Sequence, residues 1–260
     1  MTKLPAPTSS RQPVVFGASS RLSHAARRNW LVRLFDGAIN ALLPVRRSFT
    51  PLPPPPPVPD HLLDDEVQLE GEGFGRLLGR QYAMRLRTTM TAPELASSIM
   101  HHLTALVPDE LAAFARTTGT SPLLEVGDEF DIRIFGPWNG RVRVIEVTSS
   151  AFTFVTLVGH PEAGRIRFAA AEDGPGVLRV DITSWARCRD AAVELGYGQI
   201  GKRLQTTTWA TFLDRVVLLA DARRVGQIDV SEQDLLASST PSAPATPSAP
   251  ATHDVPAGTT

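Results

Sequence analysis

The stretch AFTFVTLVGHPEAGRIRFAAAEDGPGVLRVDI, residues 151–182, decides the fold. Large or apolar side chains recur at every second position: Phe152, Phe154 and Thr156, then Ile166, Phe168 and Ala170, then Leu178, Val180 and Ile182. A period of two marks a half-buried strand. The breaks at Gly159–Gly164 and Asp173–Gly176 are built from turn-forming residues and are too short for a crossover. The three strands must therefore run antiparallel.

Moving toward the N-terminus, the same period continues. Phe130, Ile132 and Ile134 alternate with Asp131 and Arg133. Pro137–Gly140 reads as a turn, with Asn139-Gly140 as its hairpin signal. Val142 and Val144 share one parity, and Ile145 and Val147 take the other, which predicts a bulge. Ser149-Ser150 then turns the chain. Further upstream, Tyr82, Met84 and Leu86 face away from Arg85 and Arg87, giving a strand over 79–90. Thr91-Ala92-Pro93-Glu94 opens a helix with a capping box. Pro108-Asp109-Glu110 opens a second short helix running to about Arg116.

After the strands comes a helix from about Gly198 or Ile200 to Asp221. Gln205, Trp209, Phe212, Leu213, Val216 and Ala220 share one stripe of it. At 1.5 Å per residue it is long enough to cross a sheet. The fold class is therefore α+β: a curved antiparallel sheet of about six strands gripping a long C-terminal helix. Such a grip leaves a wedge between helix and sheet, where a ligand cavity can form.

The ends differ from this core. Pro51–Pro59 holds seven prolines, so it should be extended polyproline II. It reads as a stiff spacer, or as a proline-rich ligand for a partner domain. Residues 1–50 carry eight Lys or Arg and one acid, Asp36, a sum of +7; the net charge of −1 leaves −8 for the rest. The organisation expected is a basic arm over 1–50, a spacer over 51–59, a domain over 60–230 and a disordered tail over 231–260. Within the arm, Trp30, Leu31, Leu34, Phe35, Ala38, Ile39 and Leu42 recur at helical spacing beside Arg27, Arg28 and Arg33. That segment can lie on an anionic membrane, dock on a protein surface, or have little structure. The tail repeats Pro-Ser-Ala-Pro-Ala-Thr at 241–246 and 247–252. Such small residues cannot bury enough surface to offset ordering entropy.

Composition excludes several classes. A net charge near zero gives no global signature of a nucleic-acid binder. No apolar run approaches ~18 residues, so no transmembrane helix is expected. One cysteine, Cys188, allows no intramolecular disulfide and no thiol cluster. No cofactor and no metal site is expected. A cytoplasmic location is expected, with membrane association through the arm as the alternative.

Candidate chemistry is sparse. His160 can act as a general acid or base with Glu162 as its orienting carboxylate, or simply shape a Gly-His-Pro turn. His101 and His102 point about 100° apart on a helix, so they cannot jointly chelate. Cys188 has no histidine partner in sequence, and the glycines at 71–75 match no phosphate-binding loop. Trp138, Phe152, Phe154, Phe168, Trp185, Trp209 and Phe212, with Tyr197, are the aromatic residues that can line the wedge. They line a cavity or fill the core. Ser184, Thr156, Thr208 and Gln205 can supply its polar contacts, and Arg187 and Arg189 can bind a carboxylate at the rim.

Two resemblances follow. The element order over 79–222 resembles the helix-grip, START-like superfamily, which includes bacterial polyketide cyclases. The segment Phe154–Phe168 resembles the Gly-Thr-Leu-x-Gly-His-Pro-x-x-Gly-Glu-Glu-x-Phe signature of a bacterial domain-of-unknown-function family, numbered nineteen-ninety. It departs from that pattern at Val155 and at Arg165-Ile166, which stands where the family has two acids. The resemblance implies a START-like domain and no established activity. The expected role is a binding module for a small apolar or lipid-like ligand. An interaction protein tethered through its basic arm to a membrane or partner is the second reading. A cyclase, dehydrase or hydrolase using His160 is the third.

Overall fold

The computed structural model describes residues 45–134 and 138–235, with the backbone alone for 196–203. The arm's apolar stripe over 30–42, residues 236–260 of the expected tail and the turn residues 135–137 lie outside the described residues, whereas 231–234, also expected in the tail, are paired strand. The architecture is α+β. Among the described residues nine strands form one open sheet: β1 (Val45–Arg47), β2 (Phe74–Arg87), β3 (Ala112–Arg116), β4 (Glu129–Ile134), β5 (Asn139–Val147), β6 (Ala151–Thr156), β7 (Glu162–Glu172), β8 (Val177–Cys188) and β9 (Arg223–Asp234). Their order is β1-β9-β2-β8-β7-β6-β5-β4-β3, antiparallel throughout except for β1 on β9. The helices are α1 (Ala92–His101), α2 (Leu103–Leu106) and α3 (Ala191–Leu219).

Several local readings appear as expected. Thr91 Oγ1 accepts the Glu94 N–H at 3.4 Å while the Glu94 carboxylate accepts the Thr91 N–H at 2.8 Å, completing the capping box. The β5–β6 register shifts between Val144 and Glu146, at the parity switch. The inward residues of β2, β4, β6, β7 and β8 are the alternating set, and they merge with α1 and α3 into one core.

The strand count needs correction from about six to nine. The segment 112–116, expected to be helical, is edge strand β3, with Phe114 opposite Ile132. Three of its five residues are alanines, whose small side chains carry little periodicity. The long helix is not the last element. At Asp221, with φ of +43°, the chain reverses into β9, which pairs with the free edge of β2. Strand β9 is charged and has only Ile228 and Ser231 buried, so its alternation is weak. Helix α3 begins at Ala191, capped by Asp190, whose side chain accepts the Val193 N–H at 2.8 Å. The glycines at 196 and 198 hide this start, because glycine in a helix interior reads as a breaker.

The proline-rich segment is not a free spacer. Val58, Leu62 and Leu69 pack against a second apolar cluster of Val67, Ile145, Val155 and Leu157 on the outer side of the sheet. Ion pairs follow it: Arg143 to Asp64 at 2.7 Å, Arg141 to Glu66 at 2.9 Å and Arg165 to Glu70 at 2.7 Å. The strand arginines of the outer face thus meet an acidic stretch of chain.

Candidate functional site

The inner face of the sheet carries aromatic rings in succession. Phe152 stacks on Phe168 at 4.8 Å and 5°, and Phe168 meets Trp209 and Phe212 of α3 edge-on or tilted at 5.5 and 5.4 Å. Phe212, Leu213 and Val216 are fully buried, so the C-terminal half of α3 is fixed against the strands. Closer to the N-terminal half of α3 the packing opens into a cavity of about 90 Å³. Its apolar walls include Phe114, Ile132, Phe154, Ile166, Phe168 and Trp209. Its polar lining includes Thr156, His160, Glu162, Arg165, Ser184, Gln205 and Thr208, gathered mainly where β6 turns into β7 and where β8 ends.

The aromatic expectations divide. Phe154, Phe168 and Trp209 line the cavity; Phe152 and Phe212 fill the core behind it. Trp185 is corrected to the opposite face. It lies between Ser184 and Ala186, both cavity-lining, so pleating turns it outward, where Nε1 donates to the Pro53 carbonyl at 2.8 Å. Trp138 stands beside the β4–β5 turn and away from the cavity. The side chain of Tyr197 lies outside the described residues. All four polar candidates, Thr156, Ser184, Gln205 and Thr208, line the cavity. Thr208 spends its hydroxyl on the Leu204 carbonyl at 2.8 Å, and the Thr156 hydroxyl donates to the Gln68 carbonyl and accepts the Gly164 N–H, both at 2.9 Å.

A charged cluster closes the polar end. Sequence reasoning did not single out Arg80, yet it is buried and joins three elements. Its Nη1 donates to Gln205 Oε1 at 2.6 Å and to Glu162 Oε1 at 3.2 Å, and its Nε donates to Glu232 at 3.1 Å. Gln205 returns a bond to Glu162 Oε2 at 2.5 Å. Burial opposes the Arg80 charge, but Glu162 and Glu232 outweigh it and hold its pKa above the ordinary value. The available signal was parity, since Arg80 shares the inward side of β2 with Tyr82 and Met84.

His160 is buried at the edge of this cavity, 7% exposed. Its ring lies on the Gly140 backbone; a Cβ there would stand 2.2 Å from Cδ2. The glycine of Asn139-Gly140 therefore serves close approach, and both residues belong to β5 rather than to the turn itself. His160 Nδ1 sits 3.0 Å from the Glu162 N–H and 2.9 Å from the Glu162 carbonyl, accepting from one or donating to the other according to tautomer. Gln68 braces the pair by donating to both carbonyls. Glu162 thus orients the ring through its backbone, while its carboxylate turns to Arg80 and Gln205, a correction to its expected role. Burial pushes the His160 pKa down, keeping the ring neutral near pH 7.

The remaining candidates carry less. Burial, with Glu162 and Glu194 nearby, pushes the Cys188 thiol pKa up, away from the thiolate that a nucleophile needs. His101 and His102 are exposed at the end of α1. Arg189 pairs with Asp190 and donates to the Gly159 carbonyl, and Arg187 lies on the outer parity of β8. Among the described residues no group of three or more His, Cys, Asp or Glu can hold a metal ion. No described helix is long and apolar enough to cross a membrane.

None of the curated proteins compared matches the chain in sequence. Among solved structures it is similar to the di-domain ARO/CYC StfQ from the steffimycin biosynthetic pathway, at 11% identity and a TM-score of 0.42, covering 55% of this chain and 51% of that one. It thus spans about half the length of that protein. Norcoclaurine synthase from Thalictrum flavum, in complex with dopamine and hydroxybenzaldehyde, is similar at 11% identity and a TM-score of 0.39, over 55% of this chain and 89% of that one. PFC0360w, an HSP90 activator from Plasmodium falciparum, is similar at 12% identity and a TM-score of 0.40, over 58% and 100%. Residues 109–214, from before β3 into α3, match the model of the family described as Domain of unknown function (DUF1990), the family whose signature the segment around Gly159-His160-Pro161 resembles.

Proposed function

We propose that the domain is a binding module whose cleft between the sheet and α3 takes up a small, ring-sized, mainly apolar molecule bearing one hydrogen-bonding group. One observation carries this reading: the cavity is walled mainly by apolar side chains, Phe154, Phe168 and Trp209 among them, with a few polar groups beside them. Ligand sites commonly pair apolar walls with a few placed polar groups. The volume of about 90 Å³ limits the occupant. It equals roughly three waters at ~30 Å³ each, and an engineered cavity of about 150 Å³ holds a benzene. A single ring fits with slight movement of the walls. A long acyl chain does not fit in that volume. Ser184 is the natural contact for the polar group, because its half-buried hydroxyl faces the cavity.

Phenol is a suitable probe, having one ring and one hydroxyl. In a titration followed by NMR, the Trp209 indole signal shifts saturably and the Trp185 signal does not. Ser184→Ala weakens phenol binding about fivefold, the loss of one hydrogen bond, and leaves toluene binding unchanged. Absence of a saturable Trp209 shift up to the solubility of phenol rejects the reading. Acid–base chemistry at His160 is the weaker alternative: the ring borders the same cavity, but its Nδ1 is bound to the Glu162 backbone and no carboxylate is bonded to the ring.

A further inference from the structure

The outer face of the sheet holds a straight row of residues in register. Gln233 of β9 stands opposite Gly79 of β2, Gly79 opposite Trp185 of β8, and Trp185 opposite Arg165 of β7. The three side chains that can donate each meet a carbonyl of the proline-rich segment. Gln233 donates to Thr50, Trp185 to Pro53 at 2.8 Å and Arg165 to Pro56 at 2.5 Å. The acceptors therefore recur every third residue.

Polyproline II has three residues per turn, a rise of ~3.1 Å and no internal hydrogen bonds, so every third carbonyl points the same way, ~9 Å apart. Neighbouring strands stand ~4.7–4.9 Å apart, so donors on β9 and β8, two strands apart, lie at nearly the same pitch. Arg165 is one strand from Trp185, and its long side chain spans the remaining distance. Gly79 makes a notch between the two outer donors: a Cβ there would stand 2.5 Å from Leu52 Cδ1. Trp185 is 1% exposed beneath the segment. The acceptors at Thr50, Pro53 and Pro56 thus follow the period of a polyproline II helix, while their donors follow that of the sheet.

We propose that this row is a polyproline II-binding site, filled in cis by residues 50–56 and able to take a proline-rich segment of another molecule in their place. Its ligand is an extended segment with a leucine between prolines, for the Gly79 notch, and open carbonyls at a pitch of three. The site faces away from the cleft, so it stands or falls independently of the ligand reading.

The probe is a fluorescein-labelled peptide of residues 49–59, added to the full-length chain. Wild-type protein binds it weakly, because the tethered segment competes at high effective concentration. The variant Leu52→Asp/Pro54→Gly, which loosens the cis segment and leaves the row intact, binds it at least tenfold more tightly. Adding Trp185→Phe, which keeps a six-membered aromatic ring but loses the pyrrole ring and its N–H, returns binding to the wild-type level. A folded loosened variant that binds no better than wild type overturns the proposal, as does tight binding that survives Trp185→Phe. A second measurement covers the case in which the loosened variant fails to fold. In the single variant Trp185→Phe, the Ser48 and Thr50 amides exchange with solvent at least fivefold faster than in wild type; an unchanged rate overturns the proposal.

Discussion

On strand β8, Leu178, Val180 and Ile182 point inward and are at most 1% exposed, while Arg179 and Asp181 between them point outward and pair with each other at 2.8 Å. The same contrast runs along the sheet. The inner face is held by close-packed rings against α3. The outer face is held by ion pairs, by a small apolar cluster and by side-chain donors to a strap of chain. One face is therefore sensitive to volume and the other to hydrogen-bond geometry. An arginine on the inner face, Arg80, belongs to neither pattern and is tolerated because Glu162, Gln205 and Glu232 surround it.

Substitutions that obey one rule and violate the other sharpen this contrast. Phe168→Ala should have the largest effect, about 3–5 kcal/mol, since it removes a ring touching Phe152, Phe154, Trp209 and Phe212. Urea unfolding measures it; a loss below about 1 kcal/mol would mean that the inner face is not close-packed. Arg80→Met should cost about 3 kcal/mol by leaving Glu162 without its charge partner. The double change with Glu162→Gln should recover most of that loss, and failure to recover would place the role of Arg80 elsewhere. On the outer face, Trp185→Phe removes one hydrogen bond and the buried pyrrole ring that carries its N–H. It should cost about 2 kcal/mol, and a loss beyond about 4 kcal/mol would mean that the strap depends on that side chain more than one bond and a small cavity allow.

The smallest expected effect is a pH dependence at the junction of the two faces. Burial lowers the His160 pKa in the folded chain, so the unfolded chain takes up the proton first as the pH falls. Stability from this group is complete above the ordinary histidine value of ~6.5 and falls as the pH drops below it. The urea midpoint of the wild type should decrease between about pH 7 and 5.5 more steeply than that of His160→Gln. Equal slopes would mean that the ring is solvated.

The inner face was the legible one. Its alternation, the Thr91 capping box and the bulge beside Val144 are local patterns, and they appear where the residues place them. Within the site, parity was sufficient to bring Thr156 and Ser184 to the cavity, and the helical stripe to bring Gln205 and Trp209. Parity also held the signal that turns Trp185 outward. Strand β3 was obscured because alanines carry no clear period, and β9 because its charged residues suit a solvated edge.

The backbone period is a property of neighbouring residues, and the sequence by itself determined it: which side chains share a face, where hairpins reverse and where helix α1 begins. What covers each face was decided only in three dimensions. The strap's carbonyls meet Gln233, Trp185 and Arg165 from up to 183 residues away, and Arg80 meets Gln205 from 125. Such pairings depend on strand order and on the match between strand spacing and the polyproline rise, and neither leaves a mark in any one stretch of residues.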